Sequence, residues 1–335
     1  MAITLADAKL NTLDDIDLNV IDEFRKSSWL LDNLTFDQAV NPAGGGATLT
    51  YGYTRLVAER GAAFRPYNTE YDVAEAKRAR YSVDLVPLGG AFEIDRVLAN
   101  LGPAASNEVT LQMQQVIKAA RAFFADQVIN GRSVATPNGE VGFDGLDVAL
   151  AGSTTEVGAE TVQDWTGEAI GDDRGRANDA LDVLDAFLRK LDGPPSALLA
   201  NEETIGRVVS LARRAGYYTH SEDAFGRQIE GYRGIPLVNL GAKAGTNDPV
   251  IPIEQREIAQ GEAPLVQHLS DLYAVRLGLD GFHGVTTTAG NLVQQWMPDF
   301  TTAYAVKRGE VELGPVAVVL KATKAAAVLR NIKVR

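Results

Sequence analysis

Residues 47–135 constrain the fold of this chain more than any other stretch. Leu49, Tyr51 and Tyr53 alternate with Thr48, Thr50, Gly52 and Thr54, the period-two pattern of a strand. The strand starts at Ala47, breaks at a tip around Gly61 and Pro66, and returns through Tyr67, Tyr71, Tyr81, Val83 and Leu85 to about Val86. The middle of the return, residues 73–80, fits a helix as well as a strand. An apolar turn is expected at 88–92 and a short helix at 92–100, stopped by Gly102 and Pro103. One long amphipathic helix then spans about 105–130, with Ser106 or Asn107 as N-cap. Its apolar face is Val109, Met113, Val116, Ile117, Ala120, Phe123, Phe124 and Val128, at spacings of three and four. Asn130-Gly131 is a C-cap signal. A two-stranded ribbon is marginal on its own in water. A chain that hangs a long one beside a long helix is expected to lean it on neighbours.

Composition narrows the classes. The 335 residues allow one large domain or two to three modest ones, with 45% hydrophobic and 23% charged residues, ordinary for a globular chain. No run approaches the about 20 apolar residues of a membrane helix. The start, Met1 to Asp7, has no basic stretch followed by an apolar one, so no secretory signal is read. The chain has no cysteine, which excludes disulfides, thiolate metal sites and a cysteine nucleophile. Net charge is −12 and the longest basic cluster is Lys77-Arg78-Ala79-Arg80. Phosphate binding is driven by basic stripes, so this chain is expected to repel nucleic acid.

Around the ribbon and long helix the chain is mixed. Residues 1–46 form an acidic arm with apolar residues Ile16, Val20, Ile21 and Phe24 at helical spacing, a second apolar patch at 29–36, and a break at Asn41-Pro42 followed by Gly44-Gly45-Gly46. Residues 141–150 read as a buried anchor between loops, and a helix is expected at about 178–191. A buried strand is expected at 196–200. Asn201 caps a helix at 202–215. Strands follow at about 228–232, 235–240, 272–277, 292–298, 304–307 and 316–320, and then a short apolar tail at 325–332. The pattern is α+β, with a mixed α/β module after the long helix.

Sites that carry chemistry are hard to find. Asp15, Asp17 and Asn19 sit like the first ligands of a calcium loop. The glycine and glutamate such a loop needs are Val20 and Lys26 here, so a solvated helix face is the reading. His220, His268 and His283 are far apart and lack metal spacing. No phosphate-loop, dinucleotide or nucleophile-elbow pattern occurs. The acidic pairs Asp172-Asp173 and Glu202-Glu203 read as caps or solvated groups, and Tyr217, Tyr218 and Tyr232 as packing. No catalytic, cofactor or metal site is expected, and no enzyme.

The order of these parts resembles the major capsid proteins of tailed bacteriophages over nearly the whole chain. Phe143-Asp144-Gly145-Leu146, Gly231-Tyr232-Arg233-Gly234-Ile235-Pro236-Leu237-Val238, 271–281 and the run from Val316 to Ala322 resemble recurrent segments of that family, no one of them diagnostic. The resemblance implies an N-terminal arm at 1–46, an E-loop at 47–86, a P domain at 87–140 with the long helix as its spine, an A domain at 141–296, and returning P-domain strands at 297–335. It implies a structural protein of the virion that forms hexamers and pentamers and closes an icosahedral head around double-stranded DNA, made and assembled in the host bacterial cytoplasm. Its partners are copies of itself, a separate scaffolding protein, a portal and a decoration protein, with no sequence-specific DNA binding and no membrane. Arg55, Arg60, Arg65 and Tyr67 on the ribbon are the expected inter-subunit contacts. Some family members crosslink through an E-loop lysine. There is no lysine between Ala47 and Ala76, so no crosslink is expected. An encapsulin, a bacterial shell protein of the same fold, and an unrelated α/β enzyme are the alternatives.

Overall fold

The computed structural model describes residues 29–40, 48–58, 61–71, 75–99, 103–135, 141–171, 174–216, 218–222, 228–258, 265–287 and 293–335. A helical turn α1 (Trp29–Asn33) leads to β1 (Phe36–Gln38), the ribbon strands β2 (Thr50–Ala58) and β3 (Lys77–Asp84), and β4 (Val86–Asp95). The single turn α2 (Arg96–Ala99) and the long helix α3 (Pro103–Asn130) follow, then α4 (Leu146–Leu150), β5 (Glu156–Val157), β6 (Gln163–Asp164), α5 (Gly167–Gly171), α6 (Arg174–Leu188), β7 (Ala197–Ala200) and α7 (Glu202–Ala215). The rest is strand: β8 (Tyr218–Glu222), β9 (Gln228–Tyr232), β10 (Ile235–Asn239), β11 (Glu254–Arg256), β12 (Val266–Val275), β13 (Phe282–Thr286), β14 (Val293–Trp296), β15 (Val306–Leu320) and β16 (Ala326–Lys333).

Two sheets carry the core. The larger runs β5-β16-β12-β7-β10-β9-β8, with β11 on β12 and β6 on β16. Its central strands are buried on both faces, so each alternates between two cores. Tyr273, Val275, Leu199 and Val328 face a cluster shared with Phe124, Val128 and Phe143. Leu272, Ala274, Leu198 and Leu329 face Leu184, Phe187, Val208 and Leu211 of α6 and α7. The smaller sheet runs β1-β13-β15-β14, with β4 on β15. Phe92, Ile94 and Val311 there pack on Val109 and Met113 of α3. The long helix therefore bridges both sheets.

Asn201 caps α7 as expected, its side-chain oxygen accepting the Thr204 N–H at 2.9 Å. The long helix begins earlier than expected: Pro103 takes the first turn, where its missing N–H costs nothing, so Ser106 and Asn107 lie inside. It ends as expected at Asn130. Gly131 is forced there, since a Cβ would stand 2.3 Å from the Gln127 carbonyl and 2.5 Å from that of Phe143. Phe123, expected on the apolar face, is 45% exposed. The expected turn at 88–92 and helix at 92–100 are instead β4 and a single helical turn. Leu88, Phe92 and Ile94 are buried at period two, against β15 from Leu313 to Val306. Gly90 stands in that buried row and hides the alternation, and Gly89 allows the close approach, because a Cβ there would meet the Val311 carbonyl at 2.4 Å.

The ambiguous return leg is strand from Lys77. Strands expected at 304–307 and 316–320 are one fifteen-residue strand, with a register shift between Leu313 and Val316. The tail at 325–332 is β16, paired with β12 from Ala326↔Val275 to Lys333↔Leu269. β8 and β13 were not expected as strands. β13 and β14 pair into the smaller sheet and β16 into the larger. Among the described residues, no helix is long and apolar enough to cross a membrane.

Candidate assembly ribbon and its anchorage

The ribbon pairs in register from Thr50↔Asp84 to Leu56↔Arg78. Its foot is held by the body: the Leu85 N–H donates to the Leu49 carbonyl at 2.7 Å and the Thr48 N–H to that of Ala39 at 3.4 Å. Three tyrosines line the foot. Tyr53 stacks on Tyr81 at 5.6 Å, and Tyr51 sits 6.5 Å from Tyr53. The Arg55 guanidinium lies 4.6 Å from the Tyr81 ring centre, a cation–π contact. Its Nε donates to the Lys321 carbonyl at 3.1 Å, and Nη2 donates to the Leu320 carbonyl. Tyr51 donates to Asp37 at 2.8 Å, and Lys321 pairs with the same carboxylate at 3.7 Å.

Charge at the foot follows from this packing. Burial pushes the Asp37 pKa up, but the hydrogen bonds from Tyr51 and the Gln38 N–H, with Lys321, outweigh it and hold the carboxyl below its ordinary value. Burial raises the Tyr51 and Tyr53 phenols above theirs, against the pull of Lys321 and Arg55. His283 of β13 lies edge-on to Tyr51 at 6.1 Å and is 0% exposed. Burial lowers its pKa first, and Lys321 lowers it further.

The tip is the opposite. Every described residue from 61 to 71 is exposed, with Phe64 and Tyr67 almost wholly so, at 106% and 96%. The Arg65 side chain donates to the Thr69 carbonyl at 3.0 Å and lies 5.2 Å from the Tyr71 ring. Of the expected contact residues, Arg65 and Tyr67 stand together on this bare tip. Arg55 is engaged with its own chain at the foot. Arg60 lies outside the described residues. Tyr51, Asp37, Lys321 and His283 were missed. Tyr51 and Asp37 are 14 residues apart and His283 and Lys321 lie far downstream of both, so no local pattern joins them.

Elsewhere the structure offers little chemistry. The groove beside α3, about 1110 Å³, is lined by Val86, Val116, Phe123, Val134 and Val141, with Arg132 as its one charged side chain among the described residues. Tyr232 is a core residue, donating to Asp185 at 2.9 Å. Glu203 pairs with Arg335. His268 is exposed. Asp15, Asp17, Asn19, Asp172, Asp173 and Tyr217 lie outside the described residues. No group of three metal-ligating side chains occurs among the described residues.

This arrangement of two sheets, one long helix and a ribbon is similar in fold to solved subunits of an encapsulin and of phage capsids. The subunit of the holo encapsulin complex from Synechococcus elongatus aligns at a TM-score of 0.58 and 16% identity, covering 100% of this chain and 97% of that one. The capsid of an empty GTA particle, computed with C5 symmetry, aligns at 0.54 and 14%, covering 98% and 97%. The capsid of Myoviridae phage XM1 aligns at 0.52 and 13%, covering 98% of each chain. No family model matches the chain, and no curated protein matches it.

Proposed function

We propose that this chain is the major capsid protein of a tailed bacteriophage, a structural subunit of the virion. Copies of it assemble as hexamers and pentamers into the icosahedral head, which encloses double-stranded DNA. The observation that carries this reading is likeness of fold along essentially the full length of capsid and shell subunits. The ribbon supports it: a foot bonded to its own body and a tip of exposed aromatics suit an element lent to a neighbour. A net charge of −12 suits a wall that confines DNA without gripping it.

In the vocabulary of that fold, we assign 1–46 to the arm, 47–86 to the E-loop, 87–140 to the P domain with α3 as its spine, 141–296 to the A domain and 297–335 to the P-domain return. In this reading β13 and β14, paired with β15, go with the P domain, and β16, paired with β12, goes with the A domain. Arg65 and Tyr67 remain inter-subunit contacts in this reading, and Arg60 with them. Assembly takes place in the host cytoplasm, with scaffolding, portal and decoration proteins as accessory partners.

The encapsulin likeness, which spans 100% of this chain, favours one second reading: a shell around enzymes. Sedimentation and electron microscopy of the purified protein, alone and with a candidate scaffold, test the shell-forming role. Closed polyhedra or capsomer rings are expected, and a uniform monomer at high concentration contradicts the role. Particle contents separate the readings, since packaged DNA supports the phage head and packaged enzyme the encapsulin.

A further inference from the structure

His283 is a buried titratable group that the shell-forming role does not use. Neither of its ring nitrogens has a hydrogen-bond partner among the described residues, although both are shielded from solvent. A buried polar atom without a partner is uncommon and asks for an explanation. Its location supplies one, because the ring packs against Tyr51, the first tyrosine of the ribbon foot.

The charged and titratable groups around it come from four elements. Lys321, just past β15, holds its ammonium 5.4 Å from the Tyr51 ring. Asp37 of β1 is already taken, by Tyr51 and by Lys321. Asp280, in the turn before β13, is bonded to Arg276 at 2.7 Å. Arg55 of β2 spends its guanidinium on the carbonyls of Leu320 and Lys321. The two carboxylates and the Gly281 backbone favour the protonated ring, and burial and Lys321 oppose it more strongly.

We infer that His283 is a pH-sensitive latch: the ribbon foot is seated while the ring is neutral, and acidification releases it. A proton on this buried ring stands beside the Lys321 ammonium, and the nearby carboxylates of Asp37 and Asp280 are already paired with Lys321 and Arg276. Lifting Tyr51 admits solvent and restores an ordinary histidine. The seated form has the lower histidine pKa, so the released form binds the proton first. Seating is favoured above about pH 6.5, the ordinary histidine value, and weakens as pH falls below it. Asp37 acts in the same direction but only lower, because its carboxyl is already below 3.8 in the seated foot. The interval between about 6.5 and 4 therefore reports on the histidine. The latch belongs to the single subunit and stands or fails independently of shell formation.

Hydrogen–deuterium exchange of the full-length protein, corrected for intrinsic rates, tests it at pH 7.5 and 5.0. Peptides covering 50–58 and 77–84 are expected to open at the lower pH, by about tenfold for each unit that seating depresses the histidine pKa. In His283→Gln the pH response should vanish. In Lys321→Gln, which removes a charge that depresses the seated histidine, the pH response should shrink. An equal response in wild type and His283→Gln overturns the latch, and so does no response in wild type. Should His283→Gln misfold, histidine NMR of the wild type decides: a ring that titrates at or above 6.5 in the folded protein contradicts the proposal.

Discussion

Two polar anchorages in this molecule differ in completeness. Around β16 the ionic groups are closely paired about one buried carboxylate. Asp271, its side chain 3% exposed, accepts from Arg256 at 2.6 Å, from Arg330 at 3.3 Å and from the Asn331 N–H at 3.1 Å. Arg330 also reaches Glu156 at 2.6 Å and the Asp147 carboxylate. Asn331 donates to the carbonyls of Gly158 and Ala159 at 3.0 and 2.9 Å. At the ribbon foot Lys321 and Asp37 are 29% and 34% exposed, and His283 has no hydrogen-bond partner among the described residues. Buried pairs resist the loss of one partner because the other charge is stranded in a poor solvent. The first cluster therefore fixes a central strand, and the second seats the ribbon foot.

Breaking the stronger anchorage should have the largest effect. Asp271→Ala leaves Arg256 and Arg330 facing each other without their shared carboxylate, and should cost about 3–5 kcal/mol in chemical denaturation. A loss under about 1 kcal/mol would mean that the cluster behaves as a surface pair and does not hold β16. Arg55→Ala removes charged hydrogen bonds worth about 1.5–3 kcal/mol, but only at the ribbon. Exchange in 50–58 and 77–84 should quicken while the global unfolding midpoint holds. A drop in that midpoint would erase the distinction between the two anchorages.

The pH dependence of the foot sharpens the comparison. Tyr51 and Tyr53 have raised pKa values, so the stability they lend is present below about pH 10 and is lost as pH rises through their folded values. Asp37 has a lowered pKa, so its contribution is present above 3.8 and is lost as pH falls through its folded value. Asp37→Asn should flatten the acid limb of ribbon exchange below pH 3.8 and weaken the Tyr51 part of the alkaline limb, because Asp37 helps to raise that phenol. The smallest effect on the fold belongs to the tip. Phe64→Ser with Tyr67→Ser should change stability by less than about 0.5 kcal/mol, yet abolish or slow particle formation in light scattering. Normal assembly by this variant would remove the tip from the interface.

The local signals were legible and the long-range ones were not. Asn201 and the Glu202–Ala215 helix, the long helix with its Gly131 end, and the ribbon strands each carry their pattern within a few residues. β4 is hidden in the sequence because Gly90 takes a place in its buried row, although pairing with β15 makes it a strand. β16 was read as a tail because a strand buried on both faces shows a continuous apolar run and no period. The ribbon tip was legible as exposed turn chemistry. Its foot was not, because Asp37, Tyr51, His283 and Lys321 meet only in three dimensions. Arg55 resembled its neighbouring arginines in sequence, and only the carbonyls of Leu320 and Lys321 distinguish it.

The central claim is that the chain builds a shell in which each subunit keeps the ribbon foot and lends the tip. A reconstruction of the assembled particle at side-chain detail tests this most directly. The account predicts Arg55 on its own Leu320 and Lys321 carbonyls, and Phe64 and Tyr67 against a different copy of the chain. Tips folded back on their own subunit, or facing solvent in a closed shell, would contradict it.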